Sequence, residues 1–593
     1  MRHLLIKGLW SLKNLGVYLS IEKVKRKFYN RFAYAKWIKN NALSLERKLE
    51  IEKEIENMPY KPLFSIILPV YNTEKKWLEK CIKSVINQLY PYWELCICND
   101  GSDKEYINSL LDFYRKKDAR IKVICHEENQ HISRASNSAL SIANGEFIAC
   151  LDHDDELSID ALYENAKLLN KYPDADMIYS DEDKIDERGN RFAPYFKPDW
   201  SPDLLLSQMY TCHLGVYRTS LIRKIGGFRI GFEGAQDYDL VLRLTEETEN
   251  VFHIPKVLYH WRAIKQSTSL SAKAKKYTNK AALRALEEAL QRRGEKGRVE
   301  EIEGLSGRYC IHYDVVAQPL ISIIILTRDK AELLDTCLSS IFQKTTYRNY
   351  EVIVVDNGSI EQKTFDVFSK WEKRKDHLVS IIRMDTPFNY AKLNNEAVKF
   401  AKGDLIVLLN NDIEVITGNW LEEMAGYALR TKTGAVGAKL LYPDNTIQHA
   451  GIILGINGIA GHGHKHFEKD DLGYFSRLVV ASNYAAVTGA CLMVRKELFE
   501  LVGGFTESFE IALNDVDFCL KLYEKGYYNV ALMHVHLYHH ESKSRGFEDT
   551  TEKQERFLSE CVRLQNCWGS LLSKDPFYNP NLTLDREDFS IKQ

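Results

Sequence analysis

At 593 residues the chain is too long for one hydrophobic core, since single cores stop growing near about 250–300 residues. Its 80 Lys and Arg nearly cancel its 82 Asp and Glu, which excludes the broadly basic surface of a nucleic-acid binder. The 12 cysteines are scattered through apolar segments without paired C-x-x-C spacing, a usage that fits a reducing cytoplasm rather than a disulfide framework.

In chain order, residues 1–40 come first. Arg2, Lys7, Lys13, Lys23, Lys25, Arg26, Lys27, Arg31, Lys36 and Lys39 face the single acid Glu22 and alternate with aromatics such as Trp10, Phe28, Tyr34 and Trp37. That composition is expected of a helix lying on an anionic membrane, with an amphipathic helix packed on the first folded domain as the alternative. Lys7 and Lys13 interrupt any signal-peptide core, and no apolar run reaches the length of about 18 residues that a membrane span needs. The expected location is cytoplasmic, peripheral on the inner face of a membrane.

A charged helix over 41–58, stopped by Pro59 and Pro62, precedes the strand Phe64–Val70. Strands and helices then alternate as in a parallel sheet: helix 77–88, strand 93–98, helix 104–116, strand 121–125, helix 133–143, strand 147–151. A helix over 277–293 leads to a patternless linker, and the order restarts with strand 321–326. A C-terminal helix over 552–572 and an extended tail end the chain. The expected division is a basic segment 1–60, a first α/β domain 61–300, a linker 301–318, a second α/β domain 319–548 and a helical extension 549–593.

The second half repeats the first at a near-constant separation of about 257 residues. Ser65-Ile66-Ile67-Leu68-Pro69-Val70-Tyr71-Asn72 recurs as Ser322-Ile323-Ile324-Ile325-Leu326-Thr327-Arg328-Asp329, Asn99-Asp100-Gly101-Ser102 as Asp356-Asn357-Gly358-Ser359, and Leu151-Asp152-His153-Asp154 as Leu409-Asn410-Asn411-Asp412. Carboxylates gathered at the end of a buried strand are costly unless a cation shares the place, and two on one turn suit a divalent ion that also grips phosphate. A solvated acidic turn capping a helix is the plain alternative. Arg134 and Lys392 each open a helix where a cation opposes the helix dipole, an arrangement that makes sense around an anion such as diphosphate.

Gly226-Gly227-Phe228 precedes Gln236-Asp237-Tyr238-Asp239, as Gly503-Gly504-Phe505 precedes Asn514-Asp515-Val516-Asp517. Asp237 and Asp515 read either as helix caps or as carboxylates held for proton abstraction. His260 and His539 each follow the last strand of their half and are placed to complete a metal site begun by the Asp cluster. The run His462-Gly463-His464-Lys465-His466 has no counterpart and reads as a mobile substrate loop.

On these motifs both halves resemble family 2 glycosyltransferases of the GT-A fold, and the tandem is similar to bacterial enzymes of O-antigen, capsule or rhamnan-type synthesis. The resemblance implies inverting transfer from UDP- or dTDP-linked sugars to a lipid-linked glycan. It implies that Asp237 and Asp515 act as bases, that Asp154, His260, Asp412 and His539 hold Mg²⁺ or Mn²⁺, and that Pro69, Tyr71, Asp100, Arg134, Asp152, Thr327, Asp356, Lys392 and Asn411 bind nucleotide. Asn410 departs from Asp-x-Asp, so the second metal site rests on Asp412. Two alternatives stand beside this reading: one half a non-catalytic glycan- or nucleotide-binding module, or a sugar nucleotidyltransferase, although no Gly-rich phosphate loop follows either first strand.

Overall fold

The computed structural model describes residues 30–264, 272–374, 378–541 and 550–593, the side chains of 272–277 excepted. Phe64–Val70 and Ile321–Thr327 are almost wholly apolar and buried on both faces, as a strand in the middle of a parallel sheet must be. The one polar residue early in each run is accounted for. Ser65 donates to Glu94 (2.6 Å) and accepts from the Gly145 N–H, and Ser322 does the same with Glu351 (2.7 Å) and Gly403.

Among the described residues the first sheet runs Ile121–His126, Trp93–Asp100, Phe64–Val70, Phe147–Cys150, Gly215–Arg218, Met177–Ile185, Val251–Arg262, Glu156–Leu157. The second runs Val379–Arg383, Tyr350–Asp356, Ile321–Thr327, Leu405–Asn410, Cys491–Arg495, Thr433–Leu441, Tyr528–His539, Ile413–Val415. Corresponding neighbours pair in the same sense, parallel around the first strand and antiparallel where Gly215–Arg218 and Cys491–Arg495 join. The expected tandem α/β architecture stands, and each sheet is mixed, because Gly215–Arg218 and Cys491–Arg495 run antiparallel to both of their neighbours.

The linker does have a pattern. Gly297–Glu301 and Tyr309–Tyr313 form an antiparallel hairpin, and Tyr309, Ile311 and Tyr313 alternate inward into an apolar cluster drawn from both halves. A buried polar network ties the halves together beside it. Arg430 pairs with Asp203 and, at 3.0 Å, with Glu295, while Asn483 donates to Asp203 (2.7 Å) and accepts from its N–H (2.9 Å).

The C-terminal helix is Thr551–Ser573, and the tail after it is not loose. Asn579 donates to both carboxylate oxygens of Asp181 (3.0 Å) and to the Lys197 carbonyl (2.8 Å), all in the first half. A helix over 30–40 joins the same region: Tyr34 donates to Asp183, and Trp37 stacks on Tyr34 and donates to Asn581 (3.1 Å). Of the basic N-terminal segment, the described part is therefore a packed helix, and residues 1–29 lie outside the described residues. Among the described residues no helix is long and apolar enough to cross a membrane. The His462–His466 run is also packed: His464 is fully buried and stacks on Phe589, and His462 meets His449 at 2.8 Å.

Removing one partner of a buried ion pair leaves an uncompensated charge. Arg430→Met is therefore expected to cost about 3–5 kcal/mol of stability. Arg115→Met, which breaks the exposed pair with Asp112, stays within about 0.5 kcal/mol. Thermal midpoints of the two variants check this, and equal midpoints would take the network out of its structural role.

Candidate functional site

The carboxyl ends of the central strands in each half open on one edge, and the polar residues collect there. In the first half Asp152 and Asp154 follow strand Phe147–Cys150, both half-buried. Between them His153 turns back, its Nδ1 3.2 Å from the Pro69 carbonyl at the end of the first strand. Asp155 is sealed inside, accepting from Tyr259 (2.6 Å) and the Arg262 N–H (2.7 Å), so it serves the turn rather than a ligand.

His213, from the loop before Gly215–Arg218, brings its Nε2 within 3.9 Å of Asp152 and stacks on Tyr259. Asp237 lies in the first turn of helix Gln236–Leu244, where the charges of His213 and Asp152 both act on it. Its neighbour Asp239 is buried and held by Arg229 and Arg243, a structural pair.

In the second half Asn411 donates to Thr327 (3.1 Å), tying the acidic turn to the first strand as His153 does. Asp412 lies 3.3 Å from His539 Nε2, and the buried His539 Nδ1 has no hydrogen-bond partner among the described residues. Asp515 accepts from the Gly489 N–H (2.9 Å) and the Val516 N–H (2.8 Å). Tyr390 donates to the Gly489 carbonyl (2.9 Å), so that residue is clamped from two sides. Asp517, like Asp239, is structural, accepting from Trp568 (2.9 Å) and Thr506.

The two histidines expected to match do not. Glu156 pairs with His260, but the corresponding Glu414 pairs with Tyr538. His260 thus corresponds to Tyr538, and His539 to Trp261. A one-residue slip turns a strand side chain to the opposite face. Accordingly His260 Nδ1 goes to the buried Asp183 (2.6 Å), and among the described residues no ion pair joins it to Asp154. The imidazole beside the first acidic cluster is His213. Its counterpart by strand register is Ala490, since Ala149 pairs with Val216 where Val407 pairs with Met493.

Asp100 and Asp356 end their strands 2% exposed and internally bonded, Asp100 to His126 (2.6 Å) and the Gln130 N–H, Asp356 to Arg383 (2.7 Å) and the Ser359 N–H. His126 and Arg383 each stand directly opposite their carboxylate on the next strand. Tyr71 is exposed at the mouth of the first half. Arg134 and Lys392 are exposed near the N-termini of helices His131–Ser141 and Tyr390–Val398, and among the described residues no ion pair is found for either.

On the same helices Asn137 and Asn395 each clamp the backbone of the Gly-Gly-Phe turn from both sides, Asn137 at Phe228 (2.7 and 2.9 Å) and Asn395 at Phe505 (2.9 and 2.8 Å). Gly227 (φ +70°) and Gly504 (φ +63°) sit so close beneath that a Cβ on either would lie 2.5 Å from the amide oxygen, which accounts for the repeated glycine.

Electrostatics separate these carboxylates from ordinary surface acids. Burial pushes Asp237 up from the usual carboxylate range and the charge of Asp152 adds to it, while His213 works the other way. Burial likewise raises Asp154, opposed by His153 and reinforced by Asp152. Asp515 is raised by burial against its two backbone donors. A cluster of half-buried anions with too few cations matches the donor set of a hard divalent ion.

A family model described as Glycosyl transferase family 2 matches residues 65–226 and 322–502, more than half of the chain. Another, Glycosyl transferase family group 2, matches residues 442–577. An uncharacterized protein of Sinorhizobium fredii, y4gI, is 45% identical over 558 residues, covering 94% of this chain and 61% of its own. The O-antigen biosynthesis protein RfbC of Myxococcus xanthus is 36% identical over 543 residues, covering 91% of this chain and 42% of its own. This chain therefore spans less than two thirds of the length of either relative. A solved mannosyltransferase of Pyrobaculum calidifontis, in complex with GDP-Man and Mn²⁺, is 16% identical with a TM-score of 0.33, covering 44% of this chain and 72% of that one.

A carboxyl whose folded pKa lies above its unfolded value holds its proton more tightly when folded, so its ionised form costs stability at neutral pH and the cost fades as pH falls. Asp237 is in that class. Asp237→Asn is expected to melt no lower than the parent at pH 7 in chelator, with any gain shrinking toward pH 4. A clearly lower midpoint at pH 7 would mean that Asp237 is a structural cap.

Proposed function

The chain belongs to glycosyl transferase family 2, and from that premise we propose that it moves sugars from UDP- or dTDP-linked donors to a growing cell-surface glycan, with one reaction centre in each half. The observation that carries this is the paired assembly: Asp154, Asp152, His213 and Asp237 on one edge, Asp412, His539 and Asp515 on the matching edge of the other sheet. Family membership sets the nucleotidyltransferase alternative aside.

In this reading Asp237 and Asp515 take the proton of the acceptor hydroxyl while its oxygen attacks the anomeric carbon from the face opposite the leaving group. The bond to the nucleoside diphosphate breaks with its electron pair on phosphate, and configuration inverts. Burial raises the basicity of both carboxylates, as a base working near neutral pH requires. Arg134 and Lys392 meet the diphosphate at their helix N-termini. Pro69, Tyr71 and Asp100 in one half, and Thr327, Asn411 and Asp356 in the other, line the nucleoside side. Asp152, Asp154 and His213 would hold Mg²⁺ or Mn²⁺ in the first half, and Asp412 with His539 in the second. Such an ion, when bound, neutralises charge on the departing diphosphate. The acceptor is lipid-linked, and the basic residues 1–29 hold the enzyme against the inner membrane face.

Asp237→Asn is expected to abolish one transfer and Asp515→Asn another, each by about 10²–10⁴ in rate. The check is nucleoside diphosphate release from a panel of nucleotide sugars with oligosaccharide or lipid-linked acceptors, in chelator and after adding back Mg²⁺ or Mn²⁺. Because Asn410 leaves the second half one acidic ligand fewer, a silent Asp515→Asn would assign all chemistry to the first half. Silence of both, or full activity in chelator, would overturn the mechanism.

A chain starting at Asn30 is expected to lose low-salt sedimentation with anionic liposomes that the full chain shows, each cation near the surface being worth about 1 kcal/mol. Equal sedimentation of both would remove the membrane role.

A further inference from the structure

The hairpin between the halves carries chemistry that sugar transfer does not use. Along Tyr309–Tyr313 the tyrosines and Ile311 face the apolar cluster, which puts Cys310 and His312 together on the other face. Strand Tyr528–His539 of the second sheet brings His534 against them. Cys310 Sγ and one ring nitrogen from each histidine lie within 4.8 Å of one another. All three residues are half-buried, open enough for an ion to enter.

Glu423, on helix Trp420–Ala428 and 7% exposed, reaches over both imidazoles. Its Oε1 lies 2.8 Å from His312 Nδ1 and its Oε2 lies 3.1 Å from His534 Nε2. The nitrogens left over are His312 Nε2 and His534 Nδ1. Asn419 donates to Glu423 (2.8 Å) and holds it in place. Glu300 Oε2 lies 3.5 Å from His312 Nε2.

We propose that Cys310, His312 and His534 form a structural zinc site that staples the hairpin between the halves to the last long strand of the second sheet. One thiolate and two imidazoles are the donor types of tetrahedral Zn²⁺, and they disfavour the hard Mg²⁺ or Mn²⁺ that carboxylate clusters take. A carboxylate on the outer nitrogen of a ligating histidine fixes its tautomer and ring orientation, and Glu423 does this for both at once. Zinc at about 2.0–2.3 Å from its ligands holds them roughly 3.3–3.6 Å apart, so closure asks only for small side-chain adjustments. The fourth place falls to water or to Glu300.

The test uses the full chain. Metal analysis after exhaustive dialysis is expected to give one zinc per chain, and replacement by Co²⁺ to give a thiolate-to-cobalt charge-transfer band. Cys310→Ser should lose the band, Glu423→Gln should keep it with about 10–100-fold weaker affinity, and Asp154→Asn should leave band and affinity alone. Absence of the band in the folded wild type, or its persistence in Cys310→Ser, overturns the site. The wild-type measurement decides the matter even where a variant fails to fold.

Discussion

Everything at the two reaction edges depends on one constraint: the central strands are buried on both faces. A strand such as Phe64–Val70 or Ile321–Thr327 has no solvent side on which to carry a charge. Polar side chains are therefore pushed to the strand ends, and because the neighbouring strands run parallel, those ends fall on one edge. Asp152, Asp154, Asp237, Asp412 and Asp515 are gathered by this geometry, and burial raises the pKa values of Asp154, Asp237 and Asp515, with the charge of Asp152 adding to the first two. The two halves share the edge but equip it differently. The first admits an imidazole from the loop at His213, the second from the strand at His539.

The halves are bound by chemistry as well as by chain. Asp203, Arg430, Glu295 and Asn483 form a buried polar network whose members satisfy one another only while the halves are in contact. The hairpin adds apolar weight beside it: Tyr313 and Tyr427 meet edge to face with ring centroids 4.9 Å apart. Such a junction favours a fixed relation between the two edges over independent tumbling.

Much of this was legible in the sequence, because order and spacing survive duplication. The repeated apolar runs, acidic turns and Gly-Gly-Phe segments predict two sheets of the same topology, and the sheets have it. What escaped has physical reasons. The correspondence of His260 with His539 fails by one residue, since the strands carrying them are irregular in register against their neighbours, and counting along a sequence does not see a bulge. His213 carries no motif and its counterpart is alanine, so no repeat could flag it. The hairpin was readable: Tyr309, Ile311 and Tyr313 alternate as a half-buried strand does. Asn137 and Asn395 lay beside the cations read as anion-binding, and only their distance to the Gly-Gly-Phe backbone reveals their work.

The tail has a consequence for how the molecule is made. Asp181 and the Lys197 carbonyl in the first half receive hydrogen bonds from Asn579, a partner 382 residues beyond Lys197. At ribosomal rates of about 5–20 residues per second, that partner arrives roughly 20–80 s after the groups it serves. The emerging first sheet must wait through that interval with Asp181 lacking one of its donors, so the final closure of the N-terminal half is timed by the 382 residues that separate Asn579 from Lys197.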